Sequence, residues 1–159
     1  MTISNYDLEQ LFVKYKIPMT NDDIIMSNQL KNRPLKNGAI IINLDNPINN
    51  GSHWVCVYIN LHEKLAFYFD SYGALCDRYI ITYCKKHKLS LAYNRYIIQS
   101  LKSTECGIYC FKLIKFIFSE AINTDVPREF ESNLLEICND YINLFVSDPY
   151  ENDAILKNI

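Results

Sequence analysis

Glycine is scarce in this chain, with four residues in 159. No Gly- or Ser-rich linker divides the sequence and no segment recurs at a fixed period, so a single domain spanning residues 1–159 is expected. Excess charge is also missing. The formal net charge of -2 gives no footing for general nucleic-acid binding. Basic residues cluster only at Lys85, Lys86, His87 and Lys88, which reads as a solvated helix end. No apolar run reaches the length of a membrane span. No charged segment followed by an apolar one opens the chain, so a secreted protein is not expected either.

What remains is core-forming. Hydrophobic residues make up 49% and aromatics 13% of the sequence, which excludes disorder. Six cysteines could form three disulfides, but the chain is longer than the small scaffolds that need such staples. Free thiols in a reducing compartment are the simpler expectation.

Ser4 with Asp7 forms a helix-start signal, and Leu8, Leu11, Phe12 and Tyr15 repeat at helical spacing, predicting a helix over 5–16. Thr20 with Asp23 repeats the signal and predicts a second, shorter helix over 22–30. Gly38–Leu44 is a β-branched strand candidate. Residues 45–52 read as a loop. His53–Ile59 and Lys64–Asp70 read as strands joined by a short link, hence an antiparallel hairpin. A helix over 77–87 and a strand over 93–98 follow. From Cys106 to Ser119 the sequence is apolar except at Lys112 and Lys115, which predicts a buried helix. A last helix is expected from Pro127 to Phe145. Helices packed on a small, mostly antiparallel sheet make an α+β domain.

The chemistry gathers around that buried helix. Cys106 stands where a polar, turn-prone loop becomes the helix, so its sulfur faces unpaired backbone N–H groups and the positive end of the helix dipole. Both favour thiolate, the nucleophilic form. His53 opens one strand of the predicted hairpin and Asp70 closes the other, which puts both at one edge of the sheet. There a carboxylate can orient an imidazole whose second nitrogen meets Cys106. Gln99, across the loop, can aim its amide at a developing oxyanion beside the Cys106 N–H. Taken singly, each residue has a plainer explanation: a small buried thiol, a surface histidine, a turn-forming aspartate, a polar glutamine. Only their joint placement points to catalysis. Cys110, one turn beyond Cys106, could be drawn with His53 as a zinc site, although the spacing is not a standard one. No cofactor is called for.

Gly51-Ser52-His53-Trp54, then Phe67-Tyr68-Phe69-Asp70-Ser71-Tyr72-Gly73, then Gln99, then Glu105-Cys106-Gly107-Ile108-Tyr109-Cys110, resembles the motif set of the adenovirus-type (adenain-like) cysteine proteases. The wider clan includes the SUMO-specific Ulp-type proteases. The order His, Asp, Gln, Cys and the intervals of seventeen residues from His53 to Asp70 and seven from Gln99 to Cys106 are similar to those of adenovirus-type members. The resemblance implies Cys106 as nucleophile, His53 as base, Asp70 as its orienting partner and Gln99 as oxyanion donor. Trp54 would be an aromatic wall that, with Gly107, lines a narrow substrate cleft. Closest in character are the maturation proteases of Polinton- and virophage-like viruses. This implies cleavage after glycine in viral capsid and core precursors, in the virion or the infected cell, by a monomer. The adenovirus enzyme's activators are DNA and a disulfide-tethered peptide. The charge here does not favour DNA, and Cys84 and Cys76 are the nearest counterparts of a tethering cysteine. A deconjugating protease for ubiquitin-like modifiers and a non-catalytic binding relative are the alternatives.

Overall fold

The segment Gly51–Asn60 (β3) is the strand about which the rest is laid out. The structure, a computed structural model, describes residues 3–46, 51–123 and 133–159. Within them β3 is the middle of a five-stranded sheet in the order β1-β2-β3-β4-β5. It runs antiparallel to β2 (Gly38–Asn46) and to β4 (Leu65–Phe69). The antiparallel centre is the expected hairpin. The edges differ: β1 (Ile24–Met26) is parallel to β2, and β5 (Ser90–Tyr93) is parallel to β4. Parallel neighbours cannot be joined by a tight turn. The chain accordingly crosses from β1 to β2 through a 3₁₀ turn at Ser27–Asn32, and from β4 to β5 through helix α2 (Arg78–Lys86).

Alternation along β3 divides the core in two. Trp54, Cys56 and Tyr58 face one side, while Val55, Val57 and Ile59 face the other. The first side carries α1 (Asn5–Lys14), α3 (Cys106–Asn123) and α4 (Leu134–Ile142), with Leu8, Phe12, Tyr109, Ile114 and Tyr141 buried among them. α3 is apolar nearly all round because it lies between the sheet and α4. The second side is smaller, with Ile80, Tyr83 and Cys84 of α2 covering Ile40, Ile42 and Tyr68. Each fully buried aliphatic or aromatic side chain contributes roughly 1.5–3 kcal/mol through removal from water. Among the described residues no helix is long and apolar enough to cross a membrane.

The start of α1 follows from its capping box: Ser4 Oγ accepts from the Asp7 N–H, and Asp7 Oδ2 accepts from the Ser4 N–H. It stops at Lys14, short of the expected Lys16, because Lys16 adopts a left-handed φ of 56°. The helix expected over 22–30 is not there. Thr20 and Asp23 do cap each other, but the turn they start is the 3₁₀ segment Asn21–Asp23, and Ile24–Met26 then joins the sheet opposite Ile41–Asn43. The β-branched Ile24 and Ile25 favour an edge strand with a waiting partner over a second helical turn. Their departure is anchored by the buried Asp23 carboxylate, which pairs with Arg33 at 2.7 Å.

The strand expected over 93–98 is displaced to Ser90–Tyr93. The ladder ends at Tyr93 because Asn94 substitutes its side chain for a strand partner: Oδ1 accepts from the Asp70 N–H and Nδ2 donates to Asp70 O. The expected start of the last helix at Pro127 lies outside the described residues. What is described is α4, followed by a further helix, α5 (Pro149–Lys157), that the pattern reading missed. Its signal was available: Asp148 caps Tyr150 N and Pro149 occupies the first turn.

Candidate active site

β3 outlasts β4, and ladder pairing between them begins at Cys56–Phe69. On that unpaired stretch the backbone of Trp54 is taken up by two sulfurs of α3. The Trp54 N–H donates to Cys106 Sγ at 3.4 Å, and the Cys110 thiol donates to Trp54 O at 3.5 Å. Residues one helical turn apart thus clamp the N-terminal end of α3 onto the strand. Burial pushes the Cys110 thiol well up, which keeps its proton available for that bond. This is the part of Cys110 that spacing alone did not reveal. Among the described residues no group of three or more His, Cys, Asp or Glu side chains is arranged to hold a metal ion.

One residue before Trp54, His53 donates from Nε2 to Asp70 Oδ1 at 2.7 Å. Asp70 is 1% exposed. The same oxygen accepts from the Tyr72 N–H, while Asn94 holds the Asp70 backbone on both its N–H and C=O. The Tyr72 ring lies 4.7 Å from the imidazole, centroid to centroid, and covers one side of it. The other ring nitrogen, Nδ1, is buried and has no hydrogen-bond partner, so it is the atom left for the thiol. Burial is the largest influence on the His53 pKa and pushes it down. The Asp70 hydrogen bond, the Asp70 carboxylate and the neighbouring Cys106 sulfur push the other way and prevail, leaving the ring raised to about 9.

Gln99 is fully buried at the far side of the loop that ends in Cys106. Its Oε1 accepts from Ser71 Oγ at 2.5 Å, and its Nε2 donates towards Ser103 O at 3.0 Å and Ser103 Oγ at 3.1 Å. A backbone carbonyl can only accept, so the amide cannot be flipped. The Gln99 N–H groups face Ser103 in this state. Stabilising a substrate oxyanion would mean one of them turning from Ser103 to the substrate oxygen. Ser71 O also accepts from the N–H groups of Ile98 and Gln99. Ser71 therefore ties Gln99 to the residue next to Asp70, a link between the halves of the site that the sequence did not signal. Gly73 makes the turn between them: its φ is +64°, and a Cβ there would meet Tyr96 O at 2.7 Å.

Trp54 and Gly107 are brought together but are not open. Trp54 is 2% and Cys106 4% exposed. The Trp54 indole N–H donates to Ile3 O at 3.1 Å. A Cβ on Gly107 would lie 2.2 Å from the Ile3 side chain and 3.0 Å from the indole. A groove of about 450 Å³, lined by Ile3, Asp7, Leu11, Glu105 and Ile108 among others, runs from there along α1. All six cysteines are free. Cys84 is buried and Cys76 half-buried, and burial pushes their thiols up to about 11 and about 12. Neither is an exposed, reactive thiol suited to tethering a peptide.

Comparison of the whole fold with solved structures gives the ASFV pS273R protease, in one case at 15% identity and a TM-score of 0.49 over 91% of this chain and 68% of that one. A second structure of it gives 17% identity and 0.49 over 86% and 67%. The SUMO protease Ulp1 with its catalytic cysteine oxidised to a sulfinic acid gives 15% identity and 0.43 over 89% and 79%. Comparison with curated protein sequences gives no match. Residues 39–143, which hold β2 through α4 and with them His53, Asp70, Gln99 and Cys106, match the C-terminal catalytic domain of the Ulp1 protease family. The chain belongs to that family of cysteine proteases.

Proposed function

We propose that residues 1–159 work as one catalytic domain, a monomeric cysteine endopeptidase that trims viral capsid and core precursor proteins at glycine-containing sites during virion maturation. Its setting would be the virion and the infected cell. The observation that carries the reading is the His53–Asp70 hydrogen bond of 2.7 Å, with the buried His53 Nδ1 left without a partner and Cys106 close enough to act on the ring. In the first step the Cys106 proton resides on His53 Nδ1 and Sγ attacks the scissile carbonyl carbon. Asp70 holds the resulting imidazolium. The oxyanion is met by the Cys106 N–H and a Gln99 N–H. His53 then returns its proton to the leaving amine, and water hydrolyses the thioester. A nucleophile 4% exposed beside a buried indole is reached best by a backbone without side chains, which supports glycine at the cleavage site. The viral substrate class rests on the motif resemblance, and the net charge of -2 does not favour DNA as an activator.

The family match favours a second reading, removal of ubiquitin-like modifiers. A panel of Gly-Gly-X and Gly-X-Gly peptides set against ubiquitin-like conjugates separates the two. Cleavage of the peptides but not the conjugates is expected, and the reverse would assign deconjugation. Peptide mapping after brief iodoacetamide treatment near neutral pH should find Cys106 labelled well ahead of the other five cysteines. Uniform slow labelling would remove the protease reading altogether.

A further inference from the structure

The last helix, α5, lies beyond the stretch that matches the protease family, yet two of its consecutive residues reach into the loop of Gln99. Asn152 is fully buried and donates from Nδ2 to Ile98 O at 2.9 Å and to Val146 O at 2.9 Å, while its Oδ1 accepts from the Val146 N–H. It fixes the carbonyl immediately before Gln99. Asp153 Oδ1 accepts from Ser103 Oγ at 3.1 Å and from Tyr109 Oη at 2.8 Å. Ser103 belongs to the oxyanion loop, and Tyr109 sits on α3 one turn after the nucleophile. One carboxylate oxygen therefore bridges the two parts whose separation decides whether an oxyanion bonded to Cys106 also reaches Gln99.

The direction of the bonds matters as much as their number. Because Ser103 Oγ gives its only proton to Asp153, it faces Gln99 Nε2 and the Glu105 N–H as an acceptor. Together with the Ser103 carbonyl, this fixes the amide nitrogen of Gln99 against Ser103, three residues before Cys106. Without the carboxylate the hydroxyl is free to rotate and donate elsewhere, and the loop loses its tie to α3.

We propose that Asp153 is a positioning residue for oxyanion stabilisation, acting through Ser103 on the Gln99 amide. The inference rests on the protease reading above, in which Gln99 is the oxyanion donor. Alkylation of Cys106 by iodoacetamide is the discriminating readout, because that reaction uses the thiol and develops no tetrahedral oxyanion. Misplacement of a catalytic group by about 1 Å can cost on the order of a hundredfold, so Asp153→Ala should lower kcat about ten- to a hundredfold with KM within about twofold. The alkylation rate should be unchanged. Asp153→Asn keeps an acceptor oxygen and should hold kcat within about threefold of the parent. In a Gln99→Ala background, adding Asp153→Ala should cost no more than about a further twofold, because neighbours acting through one group are not additive. Ser103→Ala should reproduce the pattern of Asp153→Ala and serves in its place should that variant fail to fold. An alkylation rate falling in step with kcat, full additivity with Gln99→Ala, or unchanged kcat in both Asp153→Ala and Ser103→Ala would overturn the proposal. A Gln99→Ala variant that is itself as fast as the parent would overturn the oxyanion reading along with it, whereas a slow Gln99→Ala beside a normal Asp153→Ala removes this inference alone.

Discussion

The site has two halves built by opposite means. His53 and Asp70 are seventeen residues apart and meet just beyond the Cys56–Phe69 end of the antiparallel β3–β4 ladder, so the hairpin carries them near each other and a 2.7 Å hydrogen bond joins them. Gln99 and Cys106 are closer in sequence, but no regular element joins them. The loop between them is held by Ser71, by Tyr72 Oη donating to Ser103 O, and by Asn152 and Asp153 from the last helix. The hairpin brings the first half close, with the Asn94 side chain fixing the Asp70 backbone, while long-range side-chain bonds make the second. The first half has a strand ladder beside it and the second does not, so the loop half should be the more sensitive to loss of a neighbour.

The comparison breaks outright only at the residue both halves serve. Cys106→Ala should lose on the order of a millionfold in peptide cleavage, while circular dichroism and thermal midpoint stay close to the parent. Residual turnover near the parent rate would show that another nucleophile acts. In the loop half, Gln99→Ala should lower kcat roughly a hundred- to a thousandfold with KM little changed and the Cys106 alkylation rate unmoved. A fall in alkylation as large as the fall in kcat would mean that the loop positions the thiol rather than the oxyanion.

The hairpin half should respond in the other quantity. Asp70→Asn is expected to slow turnover roughly ten- to a thousandfold, less than the serine-triad analogue, because a thiol ionises more readily. It should also move the pH profile. The folded His53 pKa of about 9 lies above its ordinary value of 6.5. Imidazolium therefore persists through neutral pH, and activity should fall as pH rises past about 9. The same sign applies to stability: the contribution of this ring is complete below 6.5 and is lost as pH climbs to about 9. Removing the carboxylate should draw the alkaline limb down, as read from kcat/KM against pH. An unmoved limb would leave a Cys–His dyad with Asp70 merely shaping the turn. The smallest effect is expected for Tyr72→Phe. It keeps the ring against His53 but deletes the 3.2 Å bond to Ser103 O, at a cost of about 1 kcal/mol or severalfold in kcat.

The same division decides what could be read from the chain alone. The hairpin was legible because period-2 alternation and a short link specify it locally, and it carries His53 and Asp70 to the same edge of the sheet. The start of α3 at Cys106 was legible from the change of polarity. The side-chain bonds that finish both halves were not. Asn94 looks like a strand residue by its neighbours, and only the finished fold shows its side chain occupying the Asp70 backbone. Ser71, Ser103 and Asp153 are ordinary polar residues whose partners lie 28, 4 and 50 residues away. Ile24–Met26 became a strand because Ile41–Asn43 offered it an edge, which no local window contains.

Trp54 is the one tryptophan of the chain, and its indole N–H is bonded to Ile3 O while its backbone N–H meets Cys106 Sγ. The protein thus carries an intrinsic fluorophore beside Cys106, with no second indole to dilute its signal. Emission excited selectively at tryptophan should report a buried ring in the free enzyme. It should shift to the red whenever Ile3 is released and water reaches the indole. Peptide binding, thiol modification and acid or alkaline titration can then be followed at this position in the unlabelled protein.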